Sequence, residues 1–386
     1  MHATDTNAPA LIHWTEGGEA RSARWRSESG MPPPKRVVIA DDKTPADTAY
    51  RLACEGTALL WRGDFQNARQ LLQALARRAD HKGGHGKRKP AKVPASITEA
   101  FHLHRQAQSQ RARTLAMLLI PFEGDYSIPL RRAPDVAQAC NEAYGRGGEP
   151  FVASLRELLG VIGAHEWRKN GVEIAALDDR IHPWYGVFSP IRGEYIDLVA
   201  QAPIPRGTRR AFDIGTGTGV LSAVLARRGI EHVVGTDQDD RALSCARENI
   251  ARLGLTGRVE IVRADLFPEG RAQLIVCNPP WLPGRPSSAI EYAIYDPDSR
   301  MLKGFLNGLA AHLEPGGEGW LILSDFAEHL GLRTRAELTA MFDAAGLEVA
   351  GRHDVRPVHP RSSDATDPLH AARSAEITSL WRLVPR

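Results

Sequence analysis

The chain has 386 residues, of which 42% are hydrophobic and 25% charged, and its formal net charge is +3. That is the composition of a globular protein long enough for two or three domains, and it excludes a fibrous or wholly disordered chain. A charge this close to balance decides nothing about a nucleic-acid partner.

The start, Met1-His2-Ala3-Thr4-Asp5-Thr6, has neither the basic part nor the apolar part of an export signal, and no apolar run reaches the length of a membrane span. The expectation is a cytoplasmic protein without a membrane partner. Residues 1–43 are polar, with Gly17-Gly18 and Pro32-Pro33-Pro34, and read as a flexible leader, although Trp14 and Trp25 suggest that part of it docks on a folded body. Residues 44–180 read as a largely helical N-terminal domain with a candidate role in substrate recognition. In it, Thr44 to Ala79 is expected to be helical, with Leu52, Leu59, Leu60, Leu71, Leu72 and Leu75 on its apolar face. From Lys82 to Arg113 there are eight Lys or Arg against one acid, Glu99, a charge run that suits RNA phosphates or a solvated loop. His81, His85, His102 and His104 lack the carboxylate or cysteine company of a metal site, and Cys54, Cys140, Cys245 and Cys277 lie too far apart for a zinc spacing, so no metal is expected.

Residues 181–386 show regular alternation of strands and helices. A Pro-containing segment, Ile181 to Pro190, leads into a helical run from Ile191 to Ala202. Ala211 to Ile214 is a buried strand, followed by Gly215-Thr216-Gly217-Thr218-Gly219 and a helix from Val220 to Arg228. Glycines let that turn bring backbone close to a ligand. The dinucleotide fingerprint would place its third glycine at position 220, where Val220 stands, which argues against a nicotinamide-dependent oxidoreductase. A second strand, His232 to Thr236, ends in Asp237, placed to accept both hydroxyls of a ribose. The next helix, capped by Asp239 and Asp240, runs to about Leu253. The third strand, Val259 to Val262, ends at Ala264-Asp265-Leu266-Phe267, and the fourth, Leu274 to Cys277, at Asn278-Pro279-Pro280-Trp281. A side-chain amide, two prolines that withhold N–H donors and a flat ring make a slot for a planar NH2 group. Ile294 to Ser299 then forms an acidic-Pro turn before a helix from Ser299 to Leu313, and a Pro315-Gly316-Gly317 turn precedes the fifth strand, Trp320 to Ser324. A helix near Thr334 to Ala345 and strands near Leu347 to His353 and Glu376 to Leu383 complete a doubly wound α/β sheet of seven strands, with a long loop from Arg356 to Arg373.

On these four strand ends, residues 182 to 386 resemble the class I S-adenosylmethionine-dependent methyltransferases that carry an Asn-Pro-Pro-aromatic motif. That branch includes HemK-like protein glutamine N5-methyltransferases and ribosomal and transfer RNA base N-methyltransferases. The resemblance implies a Rossmann-like methyltransferase sheet and S-adenosyl-L-methionine as cofactor. Asp213, Gly215, Thr216, Gly217 and Gly219 would line its methionine side, Asp237 would hold the ribose, and Asp265 and Leu266 the adenine, with Asn278 shared between cofactor and acceptor. Asn278, Pro279, Pro280 and Trp281 would form the catalytic slot. There the Asn278 side-chain oxygen and the Pro279 carbonyl would each accept an N–H, and Trp281 would stack on the planar group. The implied reaction is N-methylation of a planar NH2. A glutamine amide of a translation factor or ribosomal protein stands slightly ahead of an adenine or guanine in ribosomal or transfer RNA. A non-catalytic RNA-binding protein on the same fold is the alternative of another class.

Overall fold

Alternation of side chains from Leu11 to Trp25 closes into a hairpin. Strands β1 (Leu11–Glu16) and β2 (Glu19–Trp25) pair antiparallel from Leu11 opposite Arg24 to Glu16 opposite Glu19. Gly17 and Gly18, at φ of 61° and 84°, supply the two left-handed residues that a tight two-residue hairpin turn demands. The expected leader is therefore ordered over most of its length. The alternation is short and its outer face charged, so it reads as polar sequence, yet Ile12 and Trp25 are buried in one cluster with Leu60, Leu119 and Val152.

The computed structural model describes residues 10–80, 94–286, 289–357 and 367–386. Residues 1–9, the basic run with Lys82, Lys87, Arg88, Lys89 and Lys92, His81 and His85, and the middle of the long loop after Arg356 lie outside the described residues. Contacts divide the chain into Met1–Val93 with Leu103–Glu166, and Pro94–His102 with Trp167–Arg386. The division thus falls inside a helix near residue 166.

The first unit is built on a six-stranded mixed sheet in the order β1-β2-β6-β5-β4-β3, with β3 (Arg36–Ala40), β4 (Thr57–Trp61), β5 (Leu118–Phe122) and β6 (Phe151–Ser154). Its helices are α1 (Ala46–Cys54), α2 (Phe65–Asp80), α3 (Ile97–Leu115), α4 (Ala137–Tyr144) and α5 (Leu155–Asn170), and α3 and α5 both run across the division. Helices hold more residues than strands, but the expectation of a largely helical domain omitted the sheet. The single helix expected from Thr44 to Ala79 is helix, strand and helix. Gly56, at φ 77°, stops α1, and Thr57 to Trp61 is buried throughout between β3 and β5. A short run buried on both faces lacks the alternation that separates strand from helix.

Asp64 ties this unit together. Its Oδ1 accepts Gln66 N at 2.9 Å at the start of α2, and its Oδ2 accepts the Nε groups of Arg131 at 3.1 Å and Arg132 at 2.6 Å. The Arg132 bond, above the other causes, pulls the Asp64 pKa down to about 2. A depressed acid contributes stability that is complete above its ordinary pKa and disappears as pH falls through the folded value. Acid titration followed by tryptophan fluorescence should therefore show Asp64→Asn less stable at neutral pH, with a smaller further loss between pH of about 4 and about 2. An Asn variant that loses stability in that window as steeply as the wild type contradicts this account.

The second unit opens with a small hairpin, β7 (Val172–Ile174) and β8 (Asp179–Ile181), and helix α6 (Glu194–Gln201). Then follow β9 (Arg210–Ile214), α7 (Val220–Arg227), β10 (His232–Asp237), α8 (Asp240–Arg252), β11 (Val259–Arg263) and β12 (Ala272–Cys277). The short parallel pair β13 (Leu282–Pro283) and β14 (Tyr295–Asp296) precedes α9 (Arg300–His312), β15 (Leu313–Ser324), α10 (Phe326–His329), α11 (Arg335–Ala344), β16 (Leu347–Val355), α12 (His370–Ala375) and β17 (Thr378–Pro385). The seven-stranded sheet has the order β11-β10-β9-β12-β15-β17-β16, parallel except for β17, which runs antiparallel to both its neighbours. This is the doubly wound sheet expected from the sequence.

Alternate strand residues face opposite layers. Ala211, Val233, Leu274, Trp320 and Leu380 pack with α6, α7 and α8, whereas Phe212, Val234, Ile275, Leu321 and Trp381 pack with α9 and α11. Covering both faces accounts for near-continuous apolar strands. One boundary moved. Pro315 to Gly317 does not end the helix as a separate turn but lies inside β15, whose first part pairs with β12 at Ala272 opposite Leu313.

Candidate active site

Four strand ends lie side by side at the carboxyl edge of the second unit's sheet, those of β11, β10, β9 and β12. The buried Asp213 near the end of β9 organises the turn beyond it. Its Oδ2 accepts the hydroxyls of Thr216 and Ser222, each at 2.7 Å, and the backbone N–H of Ser222 at 3.0 Å. Burial is the largest effect on this carboxyl and raises its pKa, while the three donors favour the charged form. Asp213 is thus an internal strut of the turn.

Gly215, Gly217 and Gly219 have φ of 75°, 54° and 82°, values costly for any residue with a Cβ. They differ in their surroundings. A Cβ on Gly215 would lie 2.5 Å from Met301 Cε, and one on Gly219 would lie 3.3 Å from Ala246 of α8, but one on Gly217 would meet nothing within 4 Å. Gly217 is the point where the turn faces open space. Its N–H donates to Asp237 Oδ2 at 3.1 Å, linking the turn to the end of β10. Asp237 Oδ1 accepts the N–H groups of Gln238 at 2.8 Å and Asp239 at 3.0 Å. Burial raises its pKa and backbone donors lower it. A carboxylate offers about four lone-pair sites, so these three bonds leave acceptor capacity for a hydroxyl.

Asp265 is exposed at the end of β11. Its Oδ1 accepts the Gln238 side-chain amide and its Oδ2 pairs with Arg300 at 2.9 Å. Leu266 holds φ 75°, and its carbonyl accepts the Thr236 hydroxyl at 2.6 Å. Thr216, Gly217, Asp213 and Asp237 are therefore joined directly, and Asp265 reaches them through Gln238.

After β12 the motif closes on itself. The Trp281 indole N–H donates to Asn278 Oδ1 at 2.9 Å, and the Trp281 ring, half-buried, packs against both apolar layers. The sequence pointed to a ring free to stack on a ligand. The structure adds that the same ring orients the amide. Asp296, in the acidic-Pro turn, is buried and accepts Met301 N at 3.0 Å and Leu302 N at 3.1 Å, so it caps α9 behind the motif.

Several residues escaped the sequence reading. Ser222 completes the Asp213 network. Asn249 is buried in α8; its Nδ2 donates to the carbonyls of Thr218 at 3.1 Å and His182 at 3.2 Å, and its Oδ1 accepts His182 N at 2.8 Å. It fastens the chain before β9 to the glycine turn. On the other side of the motif, Glu376 stands just before β17, 2% exposed. Its Oε1 accepts the Ser324 hydroxyl at 2.7 Å and lies 3.5 Å from Arg192 Nη1. Neighbouring Tyr195 has its phenol pKa raised first by burial and then by Asp213 and Glu194. Among the described residues no group of three or more His, Cys, Asp or Glu is placed to hold a metal ion, and no helix is long and apolar enough to cross a membrane.

A glycine inside a strand often marks close backbone approach, and Gly235 in β10 was the available signal for this network. A Cβ there would lie 2.7 Å from Ser222 Oγ and 2.9 Å from Thr216 Oγ1. Gly235→Ala should lower the thermal midpoint of the second unit by several degrees, the effect of about 1–3 kcal/mol of overpacking. An unchanged midpoint in calorimetry would show that the Asp213 network has slack.

Comparison with known proteins finds similarity in the second unit. Residues 186–345 match the family model of the methyltransferase small domain. The chain is 33% identical over 162 residues to release factor glutamine methyltransferase of Cereibacter sphaeroides, covering 38% of this chain and 55% of that protein. It is 43% identical over 153 residues to ribosomal protein L11 methyltransferase of Pelotomaculum thermopropionicum, covering 39% and 41%. It is 33% identical over 115 residues to ribosomal RNA small subunit methyltransferase C of Alcanivorax borkumensis, covering 29% and 31%. The chain thus spans only about a third to a half of these three relatives, and the family-model match lies in the unit that carries the four strand ends.

Proposed function

We propose that this protein is an S-adenosyl-L-methionine-dependent N-methyltransferase that modifies a planar NH2 group held at Asn278, Pro279, Pro280 and Trp281. The observation that carries the reading is the junction of β9, β10 and β12. A glycine turn with one open face at Gly217 is tied to an acceptor-rich Asp237, and the amide-Pro-Pro-Trp sequence follows the adjacent strand. These residues fit the cofactor. Backbone from Gly215 to Gly219 and Thr216 would hold its methionine part, Asp237 its ribose hydroxyls, and Asp265 and Leu266 its adenine.

When bound, the cofactor supplies a sulfonium methyl group open to in-line attack by a nitrogen lone pair. The chain's task is positioning, which accounts for most of the acceleration available when the donor is already activated. A carboxamide oxygen has two lone pairs. In Asn278 one receives the Trp281 N–H, and the other is left for an acceptor N–H. The Pro279 carbonyl takes the second N–H, so the nitrogen lone pair is turned out of the acceptor's π system. Trp281 stacks on the planar group and fixes the amide that orients it. The proton lost on transfer leaves to water.

Both an amide and an aromatic amine fit this slot. The names of the relatives divide between a release factor glutamine, a ribosomal protein and ribosomal RNA. The acceptor is accordingly a glutamine amide of a translation protein or a nucleobase of ribosomal or transfer RNA. We place the reaction in the cytoplasm, in keeping with four free cysteines. A silent RNA-binding protein on this fold would bind RNA without turnover.

Asp237→Ala should weaken binding of S-adenosylhomocysteine by about tenfold or more, since bonds to a charged acceptor are worth roughly 1.5–3 kcal/mol. Calorimetry showing wild-type affinity would remove Asp237 from the site. At the motif, Asn278→Ala should retain that affinity while single-turnover methylation falls on the order of a hundredfold. Trp281→Phe keeps a ring but loses the N–H that holds Asn278, and should lose transfer rate by roughly tenfold. Full transfer by Asn278→Ala with any verified acceptor would show that the motif is not the active site.

A further inference from the structure

The buried polar atoms without a hydrogen-bond partner among the described residues include four at or shortly before the starts of α6 and β17. They are Ser189 Oγ, Glu194 Oε1, Glu376 Oε2 and Thr378 Oγ1. Each such atom costs free energy unless something else satisfies it. Sheet order and register place two of them relative to the motif. β12 is followed by Asn278, the next strand is β15, and the one after is β17, whose first residue Thr378 pairs with Ser324 at the end of β15. Glu376, bonded to Ser324, thus stands at the same carboxyl edge as Asn278, two strands further from the glycine turn. The cofactor residues lie on β9, β10 and β11, so this far side belongs to the acceptor. Strand spacing separates the lines of β12 and β17 by roughly 10 Å, with Ser324 of β15 between them.

From this placement, and resting on the N-methyltransferase reading above, we infer that Glu376 is a specificity-determining residue of the acceptor pocket, and that its free oxygen takes a ring N–H beside the reacting NH2. Oε1 is already fixed by Ser324 and flanked by Arg192, which leaves Oε2 as a preset acceptor. A glutamine side chain with its NH2 at Asn278 has only a carbonyl oxygen and methylenes to offer there, and a carbonyl facing a carboxylate is repulsive. Adenine with its amine in the slot offers a bare ring nitrogen beside it, again an acceptor. Guanine places its ring N–H next to its amine, and the two donors then face Glu376 and the Asn278 slot side by side. The Thr378 hydroxyl, unpaired and buried at the start of β17, is left for the ring's remaining polar atoms. The acceptor is thus a guanine base presented unpaired, as in an RNA loop or single strand.

The test uses the full chain and single-stranded RNA nonamers of uridine carrying at the centre guanine, adenine or 2-aminopurine, which keeps the amine but lacks the ring N–H. Affinity is measured by fluorescence anisotropy with S-adenosylhomocysteine present, so that the outcome does not depend on turnover. Wild type should bind the guanine RNA at least tenfold tighter than either of the others. In Glu376→Gln the side chain can donate to the bare ring nitrogen, and the guanine to 2-aminopurine ratio should fall to near one or invert, a shift that a merely structural role would not produce. Thr378→Val, which preserves shape, should weaken guanine binding severalfold and serves if the Gln variant misfolds. Equal binding of guanine and 2-aminopurine RNA by wild type, no binding of any of them, or a Glu376→Gln ratio like that of wild type would overturn the inference. So would transfer of methyl to a glutamine peptide at a rate unaffected by Glu376→Gln, which leaves the N-methyltransferase reading standing. That reading fails separately, through loss of cofactor binding or of all methyl transfer.

Discussion

A buried carboxylate oxygen with three donors holds this site together. Asp213 Oδ2 lies where water cannot reach, and a charge there is tolerated only because Thr216 and Ser222 are brought to it. Meeting that demand bends the chain after β9 through three left-handed glycines and points the N–H of the middle one at Asp237. The position of the β10 end relative to the turn, and with it the distance between the groups that would grip two parts of one ligand, follows from this one buried carboxyl group. Gly235 in β10 leaves the room that the network occupies.

The second unit was legible in the sequence because its strands are buried on both faces and alternate with helices. Seven strands, their order along the chain and the helices between them emerged with boundaries shifted by a few residues, apart from the start of β15. The first unit was not legible in the same way. Its hairpin turn, Gly17-Gly18, looked like a flexible pair of glycines because the strands flanking it are short and carry arginines and glutamates on the outer face. The strand Thr57 to Trp61 lay hidden between two helices because uniform burial erases alternation. In both cases the missing information was tertiary: which neighbour covers which face.

The same distinction runs through the site. Residues at strand ends, such as Asp237 and Asn278, could be placed on the fold from sequence. Residues that act by holding others could not. Ser222 and Asn249 sit in helices and look like ordinary helix residues until their partners are known. Trp281 was recognised as a ring but not as a hydrogen-bond donor to its own motif. Glu376, a century of residues beyond Asn278, carried no spacing or motif at all, and only the return of β17 beside β15 reveals where it stands.

The central claim is that the turn from Gly215 to Ser222, together with the ends of β10 and β11, is one preorganised ligand site. Amide hydrogen exchange on the whole chain, with and without S-adenosylhomocysteine, tests this most directly. Protection on binding should concentrate in residues 215–222, 237–239 and 264–266, with little change in the first unit's buried strand Thr57–Trp61. Binding that leaves the amides of residues 215–222 unprotected, or that protects the first unit instead, would contradict the account.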